Sequence, residues 1–193
     1  MGPVVAVDYG KLKGRIGEAL VENIFHLAGY RVARLGRESD VQRLLKDGED
    51  EFSPDFLVWK PVDGMPGAFW LLNVEVKYRR DLADFFRFGG AEKLTQAKQR
   101  WPDLYFVFVT DRPAAGRSCF QAMCLRDYVP GEEPKLVDLH QFSALNIYPR
   151  TIAEHEVVAQ DLFAALPSPR RPRRATSTSG SERARERQAG SAR

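Results

Sequence analysis

The sequence predicts an α/β fold in which helices flank a mixed central sheet, and three observations predict it. Apolar residues recur at helical spacing on one face of residues 14–28. Two strand-like stretches, residues 55–60 and 69–78, flank a turn rich in proline and glycine. A helix-like segment, residues 91–100, then precedes an apolar run at 104–110 that is typical of a buried strand. Alternation of helices and strands in this order favours helices packed on a sheet.

The remaining elements follow from local composition. Gly29 is a stop signal for the first helix, and residues 30–35 predict a short strand after it. Residues 36–53 are polar, with one helical turn expected around Val41–Leu45. Residues 119–125 predict another strand. A last helix is expected over 151–166, with Thr151 and Glu154 in capping-box spacing and an apolar stripe through Ile152, Val157 or Val158, and Leu162.

Composition places the chain among globular proteins. It has 193 residues, of which 44% are hydrophobic and 28% charged, so a collagen, a coiled-coil rod and a wholly disordered chain are excluded. Its apolar runs are far shorter than the roughly 20 residues of a membrane helix, and its first residues have no secretory pattern, so we expect an intracellular, cytoplasmic protein with no membrane partner. Its two cysteines, Cys119 and Cys124, are too few for a disulfide framework or a zinc site.

Charge divides the chain into two regions. Residues 167–193 hold eight arginines and two glutamates, a charge of +6, which leaves −3 for residues 1–166. We therefore expect a folded domain over 1–166 and a disordered tail rich in Arg, Ser and Pro over 167–193. A basic tail attracts polyanions without reading their sequence, although a purely solubilising tail has the same composition.

Candidate chemistry lies on the two strands around the turn. A hairpin centred near Met65 places Asp55 opposite Glu75, and directly opposed side chains have Cβ atoms about 4.5–5.5 Å apart. Glu75 and Lys77 are two residues apart in a strand and therefore share a face. Taken singly, Glu75 and Lys77 also fit a solvent-facing strand, and Asp55 fits a turn residue after Pro54. Together, two carboxylates and a lysine are what a Mg²⁺-dependent phosphodiesterase needs, because oxygen ligands hold the ion and a lysine stabilises developing negative charge.

These residues also carry a family resemblance. Ser53-Pro54-Asp55, followed by Glu75-Val76-Lys77 at the end of the next strand, resembles the motif of the PD-(D/E)XK, or restriction-endonuclease-like, nuclease superfamily. The predicted order of elements is similar to the α-β-β-β-α-β core of that superfamily. The stretch from Gly14 through Glu18 to Val32, which holds the first helix and the start of the strand after it, is similar to the opening of archaeal Holliday junction resolvases. The resemblance covers roughly residues 10–112.

The resemblance implies a role for each matching residue. Asp55, Glu75 and the carbonyl oxygen of Val76 would bind Mg²⁺, for which Mn²⁺ is a substitute, and Glu18 would complete the metal shell. Lys77 would position the attacking water, and Gln96 on the second helix would orient Lys77, a ligand or the phosphate. The products would be a 5′-phosphate and a 3′-hydroxyl.

Basic residues near these positions are candidates for DNA contact. Arg79 and Arg80 directly follow Lys77, and Lys93 shares a helix face with Gln96. Three more precede or begin the first helix: Lys11, Lys13 and Arg15. Each also fits an ordinary solvated surface charge.

Three functions remain open from the sequence. The first is a metal-dependent DNA endonuclease. The second is a resolvase of four-way DNA junctions, which needs a homodimer with two sites. The third is a DNA-binding or assembly protein on the same fold without activity, which the presence of Asp55, Glu75 and Lys77 disfavours. A metabolic metal-dependent hydrolase is disfavoured because no nucleotide-specific loop is present.

Overall fold

A computed structural model describes residues 7–35 and 54–167 of the chain. The described part is α/β, with a mixed six-stranded sheet flanked by helices. The helical turn expected around Val41–Leu45 and the basic tail, apart from Pro167, lie outside the described residues. Within the described ranges, no helix is both long enough and apolar enough to cross a membrane.

The sheet runs in the order of the chain. Its strands are β1 (Arg31–Arg34), β2 (Phe56–Pro61), β3 (Phe69–Tyr78), β4 (Tyr105–Val109), β5 (Phe120–Cys124) and β6 (Val137–Asp138). The β3–β4 pair is parallel, and the other neighbouring strands are antiparallel. A parallel pair needs a crossover, and residues 79–104 supply it.

That crossover contains two helices. A short helix α2 (Leu82–Phe85) leads through a kinked turn, Phe86–Gly90, into α3 (Ala91–Arg100). The expected helix over 91–100 is confirmed, whereas α2 was not predicted from the sequence. Leu94 and Ala97 of α3 are buried on one face of the sheet, in a cluster with Phe106, Phe108 and Met123.

Two longer helices cover the opposite face. These are α1 (Tyr9–Leu27) and α4 (Pro149–Ala165), and their buried residues pack with Val58, Val74 and Val107. The first helix begins five residues earlier than expected, because the Asp8 carboxylate accepts hydrogen bonds from the N–H groups of Gly10 and Lys11. Gly29, with φ +83°, follows the helix as expected.

The start and the buried stripe of α4 differ from the prediction. The helix begins at Pro149 after Tyr148, not at a Thr151 cap, since proline is favoured in the first helical turn. Glu154 forms an ion pair with Arg150 instead of closing a capping box. The buried stripe consists of Ile152, His155, Ala159 and Phe163, and the residues expected there, Val157, Val158 and Leu162, are exposed.

Candidate active site

Strand β3 separates its side chains onto the two faces of the sheet. Val74 and Val76 are buried in the cluster that α1 covers. Glu75 and Lys77 stand on the other face, beside Phe106 and Phe108 of the parallel neighbour β4. The expected shared face of Glu75 and Lys77 is therefore confirmed.

Asp55 lies immediately before β2, next to the same part of β3. The observed register pairs Phe56 with Val74, and it is the register expected for a hairpin centred near Met65. Asp55 Oδ2 accepts a hydrogen bond of 2.7 Å from the main-chain N–H of Val76. The Asp55 carbonyl accepts a second hydrogen bond, from Leu35 N at 2.9 Å. Asp55 is therefore fixed at both its side chain and its main chain.

The Val76 carbonyl points to the same edge of β3 as its N–H. In a strand, the N–H and C=O of one residue face the same neighbour. The Val76 N–H faces Asp55, so the carbonyl oxygen of Val76 faces the Asp55 side as well. The Asp55 carboxylate and the Val76 carbonyl oxygen thus lie at one edge of β3. The Glu75 carboxylate stands on the adjoining face, close enough to Asp55 for the two charges to interact.

Glu75 is the most unusual group of the site. Its side chain is 2% exposed, and its Oε1 atom forms an ion pair with Lys77. Its Oε2 atom is buried with no hydrogen-bond partner. Burial raises the pKa of Glu75 to about 7; Lys77 opposes this rise, and the Asp55 carboxylate adds to it.

Arg79 adds a second cation to this face. Its guanidinium lies over the Phe85 ring, 4.7 Å from the ring centroid, and Nη1 donates to the Tyr78 carbonyl at 2.7 Å. Burial lowers the pKa of Arg79, and the charge of Glu75 opposes that shift. Neighbouring Arg80 carries a buried Nε with no hydrogen-bond partner. The end of β3 is therefore rich in positive charge beside a buried carboxylate.

No sequence pattern pointed to Arg34 as a site residue, although Arg34 lies close to Asp55. Its Nε donates to Glu22 Oε1 at 3.1 Å, and Nη2 bonds Glu22 Oε2. The hydrogen bond to Glu22 raises the pKa of Arg34, and the charges of Glu18 and Asp55 add to the rise. Because Arg34 pairs with Phe56, the register of β1 on β2 places it beside Asp55, and only a correct β1–β2 pairing would have revealed this.

Glu18 projects from α1, which covers the face opposite Glu75. Its charge acts on Arg34, as the charge of Asp55 does, so both carboxylates are near one guanidinium. In residues 7–35 and 54–167, no three His, Cys, Asp or Glu side chains are grouped closely enough to hold a metal ion by themselves. The structure thus brings Asp55 and Glu75 together, without Glu18 as a third member of such a group.

Gln96 and Lys93 are exposed on α3. This helix lies on the same face of the sheet as Glu75 and Lys77. The Gln96 amide donates to Glu92 of the preceding helical turn at 3.5 Å. Gln96 therefore lies on the same side of the sheet as Glu75 and Lys77, with a partner on its own helix.

Of the basic residues on the first helix, Lys13 is not at the surface. It is 1% exposed, and its Nζ lies 2.7 Å from Asp111 Oδ2. The ammonium also faces the rings of Tyr78 and Phe163, at 5.7 and 5.4 Å from their centroids. The expectation that Lys13 contacts DNA is corrected here, because a buried ion pair with Asp111 holds its charge in the interior. Lys11 and Arg15 are exposed.

Comparison of the chain with models of protein families, with curated proteins and with solved structures gave no match in any of the three.

Proposed function

We propose that this chain is a Mg²⁺-dependent DNA endonuclease with a restriction-endonuclease-like fold. The observation that supports it best is the buried carboxylate of Glu75, whose Oε2 has no hydrogen-bond partner beside a second carboxylate, Asp55. Two carboxylates held together are unfavourable unless a cation lies between them. An unpartnered buried oxygen is also costly, since it loses hydration without replacement.

The donor set suits a hard divalent cation. Asp55, Glu75 and the Val76 carbonyl supply oxygens, which Mg²⁺ prefers over nitrogen or sulfur. In this proposal Glu18 joins them from α1, directly or through water. When bound, Mg²⁺ would polarise a phosphate and lower the pKa of a coordinated water.

Basic side chains of this chain would supply the other functions of the site. Lys77, which now neutralises Glu75, would orient the attacking water and stabilise charge that develops on the phosphate. Arg79 and Arg80 follow it directly and would bind phosphates adjacent to the scissile bond. Lys11, Arg15 and Lys93 are exposed and remain proposed contacts to the DNA backbone.

The topology is compatible with the proposed fold. The chain runs through a helix, three antiparallel strands, a helical crossover and a parallel strand, which corresponds to an α-β-β-β-α-β order. The proposed site lies where β2 begins and β3 ends, so two neighbouring strands supply its groups.

A cleavage assay tests the proposal. Supercoiled plasmid, linear duplex and a four-way junction are incubated with the protein and Mg²⁺, Mn²⁺ or EDTA. We expect metal-dependent cleavage that Asp55→Asn abolishes and that the matched change of exposed Asp63, Asp63→Asn, leaves intact. Preference for the junction would identify a resolvase. Salt-sensitive binding without cleavage, unchanged by Asp55→Asn, would overturn the enzyme proposal in favour of a DNA-binding protein.

Thermal melting gives a readout independent of activity. A ligand that binds only the folded state raises its Tm. Mg²⁺ should therefore raise the Tm of the wild type and of Asp63→Asn, but not that of Asp55→Asn or Glu75→Gln. An equal rise in all four proteins would show that the ion binds elsewhere and would contradict the ligand set.

A further inference from the structure

A buried hydroxyl links the segments that follow the two parallel strands. Thr110, which comes directly after β4, is fully buried. Its Oγ1 donates a hydrogen bond of 3.1 Å to the carbonyl oxygen of Arg80, just beyond β3. The same oxygen accepts a hydrogen bond of 3.1 Å from the main-chain N–H of Arg112. The main chains of two arginines from separate segments are therefore fixed to one side chain.

The charges of both arginines act on the same group. Burial raises the pKa of the Tyr78 hydroxyl, and the Asp111 carboxylate adds to the rise. The charges of Arg80 and Arg112 oppose it. The two guanidinium groups are therefore close to the end of β3, as their main chains are.

The carboxylates nearest to these arginines in sequence have other partners. Asp111 forms an ion pair with the buried ammonium of Lys13. Asp81 caps α2, where its Oδ1 accepts a hydrogen bond from the N–H of Asp84. The Nε–H of Arg80, by contrast, is buried and has no hydrogen-bond partner among the described residues. A buried charged donor of this kind is costly unless an acceptor completes it.

A phosphate suits this pair of arginines as the acceptor. Arg112 is exposed, so an anion can reach the pair from solvent. Guanidinium groups bind phosphate oxygens through charge-assisted, often paired, hydrogen bonds. Arg80 comes three residues after Lys77, so the two Cα atoms are at most about 11 Å apart. Consecutive phosphates of one DNA strand are about 3.4 Å apart along the helix axis, so this distance corresponds to about three nucleotides.

We propose that Arg80 and Arg112 together bind one phosphate of the DNA backbone, about three nucleotides from the scissile bond, and that Thr110 positions both arginines. The inference rests on the proposed function for the identity of the polyanion. It adds Arg112 and Thr110, to which no sequence pattern pointed, to the residues that contact or orient DNA. Such a contact fixes the register of the DNA without reading its sequence.

Fluorescence anisotropy with a labelled duplex in EDTA measures binding without cleavage. Arg112→Gln should weaken binding about tenfold, as expected for the loss of one charged hydrogen-bonding contact. The slope of log K against log salt concentration should become shallower by about 0.9, and the loss should be the same for unrelated DNA sequences.

The matched control is Arg150→Gln, which should change neither the affinity nor the slope. The Arg150 side chain is 90% exposed at the start of α4. It lies about 20 Å along that helix from Phe163, whose ring packs against Tyr78, at 1.5 Å per residue. The control therefore removes one exposed arginine far from the proposed phosphate.

Variants of Thr110 test its positioning role. Thr110→Val removes the hydroxyl and should weaken binding, whereas Thr110→Ser keeps it and should bind as the wild type does. In the double variant Arg80→Gln/Arg112→Gln, Thr110→Val should cause no further loss, because it acts through these two arginines. Circular dichroism melts confirm that each variant is folded at the assay temperature.

Three outcomes would overturn the proposal. Wild-type affinity and salt slope in Arg112→Gln would show that this residue contacts no phosphate. An equal loss on Thr110→Val with and without the two arginines would assign Thr110 to the stability of the sheet alone. Failure of the wild type to bind DNA would overturn both this proposal and the proposed function. Binding that depends on Arg112, without cleavage in Mg²⁺, would support this proposal and contradict the endonuclease.

Discussion

Asp55 Oδ2 accepts a hydrogen bond from the main-chain N–H of Val76, which lies between the two other principal residues of the candidate site. The Asp55 side chain thus holds the strand that carries Glu75 and Lys77. Asp55 has a structural role in addition to any role in catalysis, and substitutions can separate the two.

Asp55→Ala should destabilise the protein more than Asp55→Asn. Alanine leaves the Val76 N–H without its acceptor, at a cost of about 1–3 kcal/mol, whereas asparagine retains an oxygen that accepts the bond. Urea unfolding of the two variants measures the difference in free energy of unfolding. Equal losses would show that the hydrogen bond contributes nothing and that only the charge matters.

Glu75 should make the metal-free protein less stable as pH rises. Its folded pKa, about 7, is above the ordinary value of 4.5, so the unfolded chain ionises first. The free energy of unfolding therefore falls between pH 4.5 and about pH 7, and it stays low at higher pH. The shift corresponds to about 3 kcal/mol at 1.36 kcal/mol per pKa unit.

The measurement is the free energy of unfolding near pH 4.5 and near pH 8, in EDTA. Glu75→Gln removes the titrating group, so the wild type should lose more stability than this variant over the interval. Parallel pH profiles for the two proteins would contradict the buried, proton-binding state of Glu75.

Lys13 should be essential for stability. Lys13→Met leaves the Asp111 carboxylate without its cation in a site that is 13% exposed, and breaking a buried pair costs about 3–5 kcal/mol. The double variant Lys13→Met/Asp111→Asn should recover much of that loss. The matched surface change Arg15→Met should leave the Tm nearly unchanged. A Lys13→Met protein with wild-type Tm would place the ammonium at the surface.

Two glycines should respond oppositely to alanine. A Cβ at Gly90 would lie 2.5 Å from the Phe85 carbonyl oxygen, so Gly90→Ala forces the turn before α3 to move. A Cβ at Gly14, inside α1, meets nothing within 4 Å. Gly14→Ala should therefore stabilise the protein by about 0.5–1 kcal/mol, and Gly90→Ala should destabilise it. Thermal melts compare both, and stabilisation by Gly90→Ala would contradict the turn.

Local sequence patterns predicted the arrangement of Asp55, Glu75 and Lys77. The register of β2 on β3 followed from a short turn between two strand-like stretches, and it placed Asp55 beside Glu75. The alternation of side chains along β3 put Glu75 and Lys77 on one face. Both inferences use only neighbours in sequence and the period of two in a strand.

The parts that the sequence did not reveal depend on distant partners. Lys13 is buried because Asp111, 98 residues later, pairs with it. Arg34 is near Asp55 because β1 pairs with β2, across residues whose sequence predicts little. A helix-surface pattern alone makes Lys13 and Arg15 look equivalent, and tertiary contacts separate them.

The position of Glu75 beside β4 also has a consequence during translation. Its neighbour on β4 is Phe106, which the ribosome adds 31 residues later. Until β4 has emerged and paired, the Glu75 carboxylate is in water and ionises as an ordinary glutamate does. The nascent chain therefore acquires its unusual acid only when β4 joins β3, before β5 and β6 complete the sheet, and a product stalled before residue 105 would never display it.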